Sequence, residues 1–112
     1  MHKLCELNEL PNHESIGFSV GQQSILVVRK NQKVFAYHDR CPHMSIPLAW
    51  NPDKYLNYEK ELIQCSTHGA LFVIETGKCV AGPCTGDSLE SIKLTIEDSS
   101  VFIDLQAINE NR

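Results

Sequence analysis

The sequence is poor in what a nucleic-acid or membrane protein needs. Ten Lys and Arg stand against fourteen Asp and Glu, for a formal net charge of −4, which argues against the basic face that a nucleic-acid binder normally carries. The longest aliphatic run is Ile25-Leu26-Val27-Val28, far short of the roughly 20 apolar residues that cross a bilayer. Met1-His2-Lys3-Leu4-Cys5-Glu6 has neither the apolar stretch nor the small-residue cleavage site of a secretory signal. No window carries an apolar stripe at helical spacing, which argues against a helical core. No mononuclear-iron triad and no flavin or nicotinamide fingerprint is present, so nothing supports an enzyme acting alone. These absences leave a protein expected to be soluble and cytoplasmic, without nucleic-acid or membrane partners.

What remains is ordinary globular composition over 112 residues, 42% hydrophobic and 21% charged, enough for one core and one domain. Five cysteines is an odd number, so they cannot all pair with one another. In a reducing compartment thiols serve as metal ligands, redox groups or small core residues.

The patterning is that of strands. Leu4 to Leu7 alternates briefly, and Asn8 to Ser15, with Pro11, Asn12 and His13, reads as a loop. Ile16, Phe18 and Val20 alternate with Gly17 and Ser19, the period of a half-buried strand. After a turn at Gly21-Gln22-Gln23, Ser24 to Arg29 reads as a more fully buried strand. Lys30 to Lys33 turns it back into Val34–His38, making a hairpin. Further short strands are expected at Leu62–Gln64, Ala70–Ile74 and Cys79-Val80. A closing hairpin with one apolar face is expected from Ile92, Leu94 and Ile96 answered by Val101, Ile103 and Leu105. Asn109 to Arg112 is expected to fray. The sum is an all-β fold, an antiparallel β-sandwich or small barrel. Its base comes from about residues 1–38 and 88–108, and a loop-rich lobe is inserted at about 39–87, all within a single domain over 1–112.

Two segments in the lobe carry the chemistry, Cys41-Pro42-His43 and Cys65-Ser66-Thr67-His68. Structural zinc sites usually present a Cys pair at close spacing and a His pair later. Here each segment gives one thiol and one imidazole, which suits two metal atoms, one taking both Cys and the other both His. A [2Fe–2S] cluster held in this way has a higher potential than an all-thiolate one. Neutral imidazoles also leave the oxidised core near zero charge, so an added electron is less costly to hold at low dielectric. Zinc in the same four side chains is the alternative, because sequence does not show occupancy.

C-P-H, then 21 residues, then C-x-x-H-G, followed by F-x-x-x-x-G and a G-P loop, resembles the Rieske ferredoxin family. The likeness spans about residues 34–86, with a somewhat longer segment between the two motifs than is usual in ferredoxin members. It implies that Cys41 and Cys65 bind one iron and that His43 and His68 bind the other, presenting the imidazole edge to partners. Gly82-Pro83 matches the family's proline loop, which covers a third side of the cluster. Respiratory members add a Cys to each ligand loop; the matching positions here are Ile46 and its neighbours, and Thr67, so no such disulfide can form. Those members also place Ser and Tyr two and four residues after the last His, donating to cluster sulfur. Ala70 and Phe72 stand there in this chain, which implies a potential toward the low end of the Rieske range.

The resemblance further implies a one-electron carrier between a reductase and a terminal oxidoreductase such as a ring-hydroxylating oxygenase, working as a monomer or weak oligomer. The alternatives are a small subunit of a nitrite-reductase-like complex and a zinc-stabilised or redox-sensing module. Cys5, Cys79 and Cys84 read as small buried residues. His2, His13 and His38 lack partner spacing and read as surface, packing or near-site groups. Leu48 and Trp50 are expected inside the lobe, with Met44 and Ile46 partly exposed as a docking rim.

Overall fold

The computed structural model describes residues 2–20, 23–31, 33–40, 55–57, 59–65, 69–83 and 85–104. Ten strands form three antiparallel sheets among them. The first joins β1 (His2–Glu6), β10 (Ser100–Ile103) and β9 (Leu94–Glu97), in that order. The second runs β2 (Glu14–Val20), β3 (Gln23–Lys30), β4 (Lys33–His38), β8 (Ser91–Ile92). The third is a small meander of β5 (Leu62–Gln64), β6 (Leu71–Val73) and β7 (Cys79–Ala81). Among the described residues the only helical element is the 3-10 turn Leu7–Glu9, and no helix is long and apolar enough to cross a membrane.

β3 explains the architecture. Ile25, Leu26, Val27 and Val28 are all fully buried, which requires cover on both faces of the sheet. Leu26 and Val28 pack with Tyr37, Tyr55, Ile63, Phe72, Ile74 and Leu89, joining the middle sheet to the small meander. Ile25 and Val27 pack with Leu10, Ala36, Ile92 and Ile103, joining it to the outer sheet. An unbroken aliphatic run is the pattern of a strand buried on both sides, whereas β2, with Ile16, Phe18 and Val20 half-buried, keeps the alternation of a strand with one apolar face.

Several expectations shift in detail. β1 covers His2–Glu6 rather than starting at Leu4, with a bulge between Lys3 and Cys5. The loop expected over Asn8 to Ser15 shortens, because β2 begins at Glu14. Within that loop Leu10 is fully buried. The Arg29 guanidinium holds the loop down, donating to the Leu7 and Leu10 carbonyls at 3.3 and 3.1 Å.

The stretch Ile92–Ile96 departs most. It reads as one strand but serves two sheets. Ile92 pairs with Ala36 of β4, and Leu94 and Ile96 pair with Ile103 and Val101 of β10. Side-chain alternation survives the corner, as it does where strands switch sheets. The hairpin's apolar face is not continuous to its tip, where Ile96 is 42% exposed. Its turn, Asp98-Ser99, has φ of 51° and 65°, the left-handed pair that suits the twist of a two-residue hairpin. Leu105 and the expected frayed tail from Asn109 lie outside the described residues.

Candidate metal centre

The middle sheet and the small meander present the stems of both ligand segments. The first leaves the end of β4 through His38, Asp39 and Arg40. The second follows β5 directly into Cys65. Cys41, His43 and His68 lie outside the described residues, as do Met44, Ile46, Leu48, Trp50, Thr67 and Cys84. Among the described residues there is no group of three His, Cys, Asp or Glu side chains that could hold a metal.

The Cys65 side chain is fully buried in the core shared by the meander and the middle sheet. Its amide donates to the Ala70 carbonyl at 2.9 Å, and its carbonyl accepts the Gly69 amide at 2.8 Å. Those two bonds close the chain on itself and leave only residues 66–68 between the ends of the closure. A soft sulfur donor, shielded from water and fixed by main-chain bonds, is chemically suited to an iron–sulfur centre.

Tyr55 ties the two stems together. It is only 3% exposed, and its hydroxyl donates to Asp39 Oδ2 at 2.8 Å, two residues before Cys41. Its carbonyl accepts the Gln64 amide at 2.8 Å, one residue before Cys65. Its own amide donates to Ser15 Oγ at 3.2 Å. The ring lies over Gly17, where a Cβ would stand 2.6 Å from the tyrosine oxygen, so β2 must carry glycine there for the ring to sit down. Nothing in the sequence around Tyr55 singles it out for this role.

The Gly82-Pro83 loop, expected to cover a third side of the cluster, is held by main-chain and hydroxyl bonds. Thr85 donates to the Gly82 carbonyl through its hydroxyl at 2.8 Å and its amide at 3.3 Å. The Cys79 amide donates to the Asp87 carbonyl at 2.8 Å, closing the loop's base. Gly82 has φ of +100°, and a Cβ there would meet Ala70 Cα at 2.7 Å. The proline loop therefore rests on Ala70, two residues past the second ligand segment. Ala70 and Phe72 are fully buried and carry no hydroxyl.

The remaining cysteines and histidines sort by burial. Cys79 is buried, with its thiol donating to the Ala81 carbonyl at 3.2 Å. Cys5 is a free buried thiol whose pKa is pushed up, chiefly by burial and further by Glu9 and Glu6. His13 is exposed. His38 is a core residue, 3% exposed, and its Nε2 has no hydrogen-bond partner among the described residues. Burial lowers the His38 pKa, Arg40 adds to that, and Glu90 opposes it. The folded state thus favours neutral imidazole. The unfolded chain takes up that proton near the ordinary value of about 6.5, while the folded chain resists until lower pH. Stability is therefore complete above about pH 6.5 and declines as pH falls through that value toward the folded pKa. Denaturant midpoints measured between about pH 5 and pH 7.5 should show a shallower fall for His38→Gln than for the unaltered protein. Equal slopes would remove His38 as the source.

With this geometry in place, comparison with known proteins is informative. The family described as "Rieske [2Fe-2S] domain" matches residues 1–97. The ferredoxin component of biphenyl 2,3-dioxygenase from Rhodococcus jostii (strain RHA1) is 31% identical over 104 residues, covering 93% of this chain and 92% of that protein. Among solved structures, the Sphingomonas yanoikuyae B1 ferredoxin superposes with a TM-score of 0.71 at 26% identity, covering 91% of this chain and 95% of the other. The ferredoxin of carbazole 1,9a-dioxygenase from Nocardioides aromaticivorans IC177 gives a TM-score of 0.73 at 21% identity, covering 92% and 97%. The last likeness is one of fold.

Proposed function

This chain belongs to the Rieske [2Fe-2S] domain family, and from that premise we propose that it is an electron carrier, not an enzyme, passing single electrons from a reductase to a terminal ring-hydroxylating oxygenase. The match to the biphenyl dioxygenase ferredoxin component carries this reading, because it covers 92% of a protein that is itself a ferredoxin component. Cys41 and Cys65 are assigned to one iron, and His43 and His68 to the other. Bound there, the cluster supplies one-electron redox chemistry. The chain's own contribution is to shield Cys65 from water, to fix the two stems through main-chain bonds, and to lay the proline loop against Ala70.

The same reading takes the chain as one domain, with a base at about 1–38 and 88–108 and a lobe at about 39–87. In its support, the outer and middle sheets draw their strands from residues 2–38 and 91–103, and the meander draws its own from 62–81. The free buried thiol of Cys5 suits a reducing, cytoplasmic setting. Contacts for electron transfer can be small, so a monomer that forms no lasting complex fits the role.

The protein purified without air should be coloured, carry iron and sulfide in equal amounts, and give an EPR signal only when reduced. Adding it to a reductase and a ring-hydroxylating oxygenase should restore turnover. A colourless protein holding one zinc, with no reduced-state signal, would overturn the reading. Because Ala70 and Phe72 offer no hydroxyl to cluster sulfur, the midpoint should fall near the low end of the Rieske range, at about −150 mV. A clearly positive midpoint would contradict the assignment of those two positions.

A further inference from the structure

We propose that Tyr55 is the positioning residue of the metal centre, a single side chain and peptide unit that sets the separation and relative orientation of the two ligand segments. The inference rests on the metal-centre reading above and adds to it a residue that ligates nothing. Its warrant is a convergence of bonds. The Tyr55 hydroxyl holds Asp39, two residues ahead of Cys41, and the Tyr55 carbonyl holds the amide of Gln64, one residue ahead of Cys65. Each of the two cysteines assigned to one iron is thus within two residues of a bond to Tyr55.

The clasp has its own foundation. The Tyr55 amide is fixed to Ser15 Oγ on β2, and the bridge between Leu56 and Ile63 continues the pairing beside β5. The ring is buried with Leu26, Tyr37, Ile63, Cys65 and Phe72. Gly17 supplies the floor, since a Cβ there would sit 2.6 Å from the hydroxyl oxygen and 3.3 Å from Cε2. A rigid aromatic loses little rotamer freedom on being fixed, so the Asp39 bond transmits position rather than merely adding attraction. Groups that orient metal ligands from outside the coordination shell typically matter by about 10- to 100-fold in metal affinity.

Three variants separate positioning from general packing. Tyr55→Phe keeps the ring and removes the bond to Asp39. Asp39→Ala removes the same bond from the other side and leaves the ring intact. Asp39→Asn keeps an oxygen acceptor for the tyrosine hydroxyl. The readouts are loss of visible absorption under an iron chelator and the line shape of the reduced-state EPR signal. Tyr55→Phe and Asp39→Ala should each release the cluster about 10-fold faster and broaden the signal. The double variant should be no worse than either single change, and Asp39→Asn should restore the unaltered behaviour. Gly17→Ala should also speed release, by a smaller factor in the Tyr55→Phe background, where the oxygen it collides with is gone.

Release rates and line shapes in Tyr55→Phe and Asp39→Ala equal to those of the unaltered protein would overturn the proposal while leaving the iron–sulfur reading intact. Additive effects in the double variant would overturn it equally. If the unaltered protein itself holds no iron and sulfide, the reading beneath it fails, and the proposal falls with it. Should Tyr55→Phe fail to fold, Asp39→Ala against Asp39→Asn tests the same bond.

Discussion

Cys65→Ser should yield a folded, colourless protein with no reduced-state EPR signal and without its complement of iron and sulfide. The fold should persist because the bonds that hold this position are main-chain ones, from the Cys65 amide to Ala70 and from the Gly69 amide to Cys65. Serine nearly matches cysteine in size, so the buried site keeps its packing. The chemistry does not survive, because a hydroxyl is harder than a thiol and far less acidic, and it makes a poor partner for iron at neutral pH. Cys79→Ser provides the contrast. That residue is equally buried, but its thiol serves the Ala81 carbonyl, a bond a hydroxyl can also make. Cys79→Ser should therefore keep full iron content and colour. Iron retained in Cys65→Ser, or lost in Cys79→Ser, would mean that the ligands are misassigned.

Phe72→Ala should destabilise the protein by about 3–5 kcal/mol, the usual cost of emptying a buried aromatic site. Phe72 is fully buried at the centre of β6, paired with Ile63 of β5 and Cys79 of β7. Its ring fills the core shared with Leu26, Tyr37 and Tyr55, so its removal leaves a void bounded by two sheets that cannot both collapse into it. A comparison with Val80→Ala isolates the effect, since Val80 is 48% exposed in the neighbouring strand and should change stability by no more than about 0.5 kcal/mol. Urea unfolding followed by far-ultraviolet circular dichroism without air measures both. A Phe72→Ala cost below about 1 kcal/mol would show that the meander does not lean on the middle sheet as described.

The strands were legible where the sequence expresses burial locally. Ile25 to Val28 announced a more fully buried strand, and Ile16, Phe18 and Val20 a half-buried one. The donors of the candidate site are proposed from residue identity and short spacing, in which metal chemistry is written. Three of those four donors lie outside the described residues, and Cys65 is the one whose surroundings are visible. What was not legible depends on which distant parts meet. A period of two tells which side of a strand is apolar but not which sheet receives it, so the change of sheets at Lys93 left no trace. Tyr55 joins residues at separations of 16 and 40 along the chain, and no local pattern encodes such a meeting. His38 looks polar in sequence, and only the packing around the end of β4 reveals its burial.

The two-sided burial of β3 has a consequence for how the molecule can come apart. A lobe with an interior of its own could open and close as a separate unit. Here the meander borrows part of its interior from the middle sheet, through Leu26, Val28 and Tyr37. The outer sheet borrows from the opposite face of the same strand, through Ile25 and Val27. Peeling either neighbour away bares aliphatic surface on β3 to water, so local opening of either one carries a hydrophobic cost. The strand is a party wall, and neither house can be demolished without exposing the other.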